Sequence, residues 1–162
     1  MADRSDVDHV WEMMETIGFC MFSSFDGEEI RSRPMAAYVE REEGRILFLT
    51  DAESHKDEEI AARPNVNLAF ADAGSHSYVS LTGRAVISND REKIRDLFNV
   101  PAKAWWDSPD DPSIRLLSVT PHDAQYWDSP GRVRAYLKMA AAAVSSARPE
   151  MGDNAKVEMS HG

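Results

Sequence analysis

Cysteine is almost absent: Cys20 is the one thiol in 162 residues. That excludes an intramolecular disulfide and any multi-cysteine metal site, and it fits a reducing compartment. Lying between Phe19 and Met21, the thiol reads as buried and inert rather than reactive. No apolar run approaches the roughly 20 residues of a membrane span. The opening MADRSDVDHVW is acidic and polar, without the basic-then-apolar order of a secretory signal, so the expected location is cytoplasmic. Positive charge is also scarce, with 18 Lys and Arg against 28 Asp and Glu, a formal charge of −10 and a pI near 4.9. Such a surface repels nucleic-acid phosphates and anionic membranes, so neither is expected as a partner. A few cations gathered in one pocket can still hold a small anionic ligand.

Several chemistries lack their motifs. The histidines, His9, His55, His76, His122 and His161, show no H-x-x-x-H pair, so no metal site is expected. None has the setting of a general base. Without G-x-S-x-G there is no sign of a nucleophile elbow, and without G-x-G-x-x-G or a P-loop a Rossmann nucleotide site is not expected. No catalytic residue is nominated from the chain.

What is present reads as one domain with many turns. The length and the 43% hydrophobic content allow one real core. Apolar residues at Val7, Val10, Trp11, Met14 and Ile17 have helical spacing, with Ser5 or Asp6 as the cap and Gly18 as the stop. The run FCMFSSF then meets Asp26-Gly27, a hairpin signal. A second strand over 30–39 puts Arg31, Arg33, Met35 and Ala37 on one face and Ser32, Pro34, Ala36 and Tyr38 on the other, with Pro34 implying an edge or a bulge. The run RILFLT reads as a buried strand that completes a meander.

Further on, residues 54–62 predict a short helix capped by Ser54, and residues 65–71 and 77–88 predict strands, with Gly83 at a bulge or sharp bend. Asp90 caps a helix whose stripe is Ile94, Leu97 and Phe98. A loop over 101–112 carries Trp105 and Trp106; strands follow at 113–119 and 123–128, divided by Pro121, and then a helix over 131–146. Residues 1–148 are expected to form the domain and 149–162 a polar, mobile tail, apart from a short strand over 156–159. This order predicts a mainly β fold, a six- or seven-stranded antiparallel barrel with peripheral helices.

Four constellations are candidates for a site. Arg31 and Arg33 share a strand face, where two guanidinium forks either grip a carbonyl-rich ring or a phosphate, or simply balance an acidic surface. Thr50, Ser54, His55 and Lys56 gather a hydroxyl, an ammonium and backbone N–H groups around a helix start, which suits a phosphate but equally an ordinary cap. Adjacent Trp105 and Trp106 must point apart, so one can pack inward while the other covers a flat ligand or a partner subunit. In Gln125-Tyr126-Trp127-Asp128, Tyr126 and Asp128 share a face, and packing accounts for both aromatics.

Taken in order, R-S-R-P-M, LFLT with S-x-K after it, P-N-V-N-L-A-F, Y-V-S-L-T-G-R-A, the W-W loop ending in D-D-P, and V-T-P-x-x-A-x-Y-W-D resemble the general stress protein 26 family. That family belongs to the FMN-binding split β-barrels of the pyridoxamine 5'-phosphate oxidase-like superfamily. The resemblance covers about residues 5–145. It implies a homodimer binding FMN at the subunit interface and acting as a flavin-dependent oxidoreductase on an unknown small molecule, or else as a non-catalytic flavin-binding or sequestering module. A dimer with a degenerate pocket and no ligand is the third reading, and the deazaflavin F420 is the alternative cofactor.

Carried over by position, Arg31, Ser32, Arg33 and Pro34 would line the flavin ring or ribityl chain. Thr50, Ser54 and Lys56 would face the phosphate with His55 as a helper, and Trp105 or Trp106 would come from the other subunit or from a covering loop. Two features depart from the family. Ser108-Pro109 stands where its loop usually has a glycine, and the C-terminal arginine- and histidine-containing motif of true pyridoxamine phosphate oxidases is missing, so that activity is not implied.

Overall fold

A computed structural model describes residues 4–54, 56–128, 140 and 153–159. Helix α1 (Arg4–Ile17) starts ahead of Ser5 and Asp6, so neither is its cap, and it buries Val10, Trp11, Met13 and Met14. Gly18, at φ +73°, ends it while donating its N–H to the Met14 carbonyl at 3.0 Å. Strands β1 (Phe19–Phe25) and β2 (Ile30–Ala36) form the expected hairpin. Asp26 builds the turn by accepting the Glu28 and Glu29 N–H groups. Those bonds, Glu29's first, together with Arg31, hold its carboxyl down to about 2.

The expected second strand is two. It bends at Ala37, whose N–H donates to the Gly18 carbonyl at 2.9 Å, and continues as β3 (Tyr38–Glu40). β2 pairs with β1, whereas β3 pairs with β4 (Arg45–Asp51). The remaining elements are α2 (Lys56–Ala62), β5 (Asn65–Asp72), β6 (Ser77–Ser88), α3 (Arg91–Leu97), β7 (Ile114–Asp128) and β8 (Asp153–Glu158). All pairings are antiparallel, in the order β2-β1-β5-β6-β7-β4-β3, and β8 pairs off this path with β7. The two ends of the path are successive stretches of one strand, so the sheet curls back on itself as a split barrel. Pro34 lies on the outermost strand, where its missing N–H is tolerated.

Two short strands were expected around Pro121, but β7 runs straight through it. The register shifts there: Thr82 faces Asp123 while Gly83 faces Pro121, leaving His122 as the extra residue of a bulge. Gly83 therefore sits where a bulge was expected. The split of one strand and the fusion of two offset each other, so the path has seven strands. Within the expected polar tail, β8 extends the anticipated 156–159 strand back to Asp153, and Val157 and Met159 are buried in the main core. The expected helix over 131–146 falls outside the described residues, Ala140 apart. Among the described residues no helix is long and apolar enough to cross a membrane.

The barrel interior holds Phe22, Phe48, Leu68, Phe70 and Leu81, closed over by α1. Phe22 and Phe48 meet edge to face at 5.6 Å. β4 is buried on both faces: Ile46 and Phe48 enter the main core, while Leu47 joins Ile94, Ile114 and Leu116 in a second cluster. That double burial is why RILFLT is apolar without alternation. Asp90 accepts the Lys93 N–H, the expected cap of α3.

Candidate functional site

A cavity of about 600 Å³ opens where four parts of the fold meet. Phe19 comes from β1, and Arg33, Pro34, Met35, Ala36 and Tyr38 come from the bent β2–β3 strand. The end of β4 gives Leu49, Thr50 and Asp51, and the loop after α3 gives Pro101, Ala102, Trp105 and Trp106. The bend at Ala37 brings these parts together, because it carries one strand from the edge at β1 to the edge at β4.

Of the residues nominated from sequence, Arg33, Pro34, Thr50, Trp105 and Trp106 meet here. Arg33 lies opposite Phe22 in the hairpin, with its guanidinium 5.9 Å from the ring centroid and a 2.8 Å hydrogen bond donated to the buried Ser24 hydroxyl. Its neighbour on the same face, Arg31, does not reach the cavity: it is committed to Asp26 and Glu29 at the hairpin turn. Ser32 bonds the Ser23 hydroxyl on β1 instead. Thr50 is only 3% exposed. Ser54 ends a single 3-10 turn directly after β4 and Lys56 opens α2, while His55 lies outside the described residues.

The two tryptophans diverge as their adjacency requires. Trp106 packs against the second cluster, whereas Trp105 is 81% exposed at the cavity wall. Asp111 shapes the far end of their loop by accepting the Ser113 N–H and hydroxyl, bonds that hold its carboxyl below the usual range. Arg91 binds that end to the body of the fold, donating to the carbonyls of Pro109, Asp111 and Ile114 at 2.8–3.0 Å. In sequence Arg91 follows a cap and reads as a solvated helix cation, so nothing local marks this role. Phe19, Tyr38, Asp51 and Pro101 were also missed as lining residues.

Tyr126 and Asp128 clasp α1 rather than the cavity. The Tyr126 hydroxyl donates to Asp6 at 2.9 Å, and His9 Nε2 donates to Asp128 at 2.8 Å, with the His9 and Tyr126 rings edge to face. Trp127 faces the other way and is partly exposed. Cys20 is buried and its thiol is pushed up to about 12 by that burial, as its apolar neighbours suggested. Among the described residues no group of three His, Cys, Asp or Glu can hold a metal.

Residues 5–150 match the family model described as pyridoxamine 5'-phosphate oxidase like. The chain belongs to this family. Among curated relatives, it is 30% identical over 87 residues to general stress protein 26 of Bacillus subtilis, covering 52% of this chain and 62% of that relative. A crystal structure from Jannaschia sp. CCS1, described as a general stress protein 26, superposes with a TM-score of 0.77 at 27% identity and covers 96% of this chain and 99% of that one. A third relative, the general stress FMN/FAD binding protein of Xanthomonas citri, has the same fold, with a TM-score of 0.68 at 23% identity over 78% of this chain and 90% of that one.

Proposed function

We propose that this protein is a stress-related flavoprotein that binds FMN in the cavity between the β2–β3 bend, the end of β4 and the Trp105 loop. The observation that carries this is the lining itself. One arginine and a buried threonine hydroxyl stand among flat apolar walls, Phe19, Pro34 and Trp105, in a volume that falls within the usual range for a small-molecule site. The flavin-binding description of the Xanthomonas relative agrees with it.

A bound flavin supplies hydride or electron chemistry; the chain binds, orients and screens it. Arg33 offers its fork to an electron-rich carbonyl edge, the phosphate end lies at Thr50, with Ser54 and Lys56 following it in the chain up to the start of α2, and Trp105 shields the ring from water. FMN suits this site better than F420, whose tail adds carboxylates, because the lining has one arginine beside the carboxylate of Asp51. The reaction class is a flavin-dependent oxidoreduction of a small molecule. Binding without turnover is the second reading: the lining ionisable groups Arg33, Tyr38 and Asp51 all have protein partners already, so none stands ready as an acid or base.

Purified protein titrated with FMN is expected to bind it at micromolar concentration or below, with a shifted visible spectrum, and Arg33→Ala to weaken binding by about tenfold or more. No binding at micromolar FMN would sink the proposal. Anaerobic bleaching of the bound flavin by a nicotinamide donor separates turnover from storage.

The same reading includes a second copy of the chain seated on the cavity mouth. Phe19 and Trp105 are cavity-lining side chains that are 56% and 81% exposed, and Met21 and Ile30 continue the apolar surface along the hairpin. Light scattering is expected to give twice the 18.2 kDa chain mass. Phe19→Asp should shift the protein toward monomer and weaken FMN binding together; a monomeric wild type that binds FMN normally would refute the interface.

A further inference from the structure

We propose that Tyr38 is a positioning residue, holding the Trp105 wall of the cavity in place through a hydrogen bond to Asn99. This rests on the cavity being the ligand site. The Tyr38 hydroxyl, on β3, donates to Asn99 Oδ1 at 2.8 Å, sixty-one residues along the chain. Asn99 begins the tryptophan loop, and the same Oδ1 accepts the Ala102 N–H at 3.4 Å. Ala102 is buried, and its carbonyl accepts the N–H groups of both Trp105 and Trp106 at 3.0 Å. A short relay therefore links the Tyr38 side chain to the Trp105 backbone. Tyr38 also lines the cavity and packs against the second cluster. A ligand pressing on its ring consequently acts on the wall opposite.

Apart from this relay the near half of the loop is held by the packing of Phe98 and Trp106, the burial of Ala102 and its own turn hydrogen bonds, because the Arg91 bonds act only on its far end. Burial raises the Tyr38 pKa, so the hydroxyl keeps its proton to donate across the neutral range. Asn99 serves only as an acceptor in both side-chain bonds, which makes the role separable from its amide chemistry. An aspartate there preserves both bonds, whereas an alanine removes them.

The test joins a ligand readout with one that needs no ligand. Tyr38→Phe and Asn99→Ala should each speed amide hydrogen exchange at Ala102, Trp105 and Trp106 and raise the FMN dissociation constant by about two- to tenfold. The double variant should be no worse than either single, because both break the same link. Asn99→Asp should behave as wild type. Additive losses, or exchange in this segment unchanged in Tyr38→Phe, would overturn the proposal. If wild type fails to bind FMN while Tyr38→Phe still frees these amides, the flavin reading fails and the latch stands.

Discussion

Phe22→Ala is expected to cost about 3–5 kcal/mol of stability, a large part of what a domain of this size possesses. The side chain is fully buried at the centre of the barrel, and its ring meets Phe48 edge to face. Truncation removes that contact and leaves a void that β1 and β4 cannot close without breaking their ladders. The damage extends to the site, because Arg33 lies over the same ring and loses its platform.

Phe22→Leu separates the two effects. Its near-conserved volume should limit the stability loss to about 1.5 kcal/mol, while Arg33 still loses the aromatic face and FMN binding weakens. Urea unfolding and flavin titration of the two variants check this. A loss under about 1 kcal/mol for Phe22→Ala would show that the residue is not a core anchor.

Gly83→Val meets a site with no room of another kind. A Cβ at Gly83 would stand 2.7 Å from the Thr120 carbonyl oxygen and 2.7 Å from Val119 Cγ1, both on β7. The carbonyl belongs to the opposing backbone and cannot rotate away, so the β6–β7 pairing must shift at its bulge. Overpacking of this sort costs about 1–3 kcal/mol, and a branched side chain falls at the upper end. In a domain of this length that lowers the melting temperature by about 4–10 °C. Gly83→Ala should move the same way by less. A raised melting temperature for Gly83→Ala would mean that the entropy lost with glycine outweighs the contact.

Much of the fold was legible in local sequence because the deciding forces are local. Apolar spacing marks α1, Asp26 builds its turn from its own neighbours, Asp90 caps the helix it precedes, and Gly83 stands at the bulge. Cys20 could be read as inert from the two residues beside it. Pro121 misled for an equally physical reason. It bars one ladder hydrogen bond, but the bulge at His122 absorbs the defect, and that bulge forms only where β7 pairs with Gly83 on the neighbouring strand.

The candidate site was legible only in part. Arg31 and Arg33 have the same residue type, the same strand and the same face, yet their fates differ. Acids at the hairpin turn take Arg31, while Phe22 and Ser24 draw Arg33 toward the cavity. Tyr38 and Arg91 looked like ordinary strand and helix residues, because their partners lie far along the chain or are backbone carbonyls of a loop.

By itself, then, the sequence determined a mainly β fold, its acidic charge, most of its elements and an inert thiol. Tertiary structure alone decided that one strand bends at Ala37 to join both ends of the sheet, and so which of the nominated side chains share a cavity. Alternation within a strand records only which face is buried; which strands lie side by side depends on burial and pairing between residues far apart in the chain.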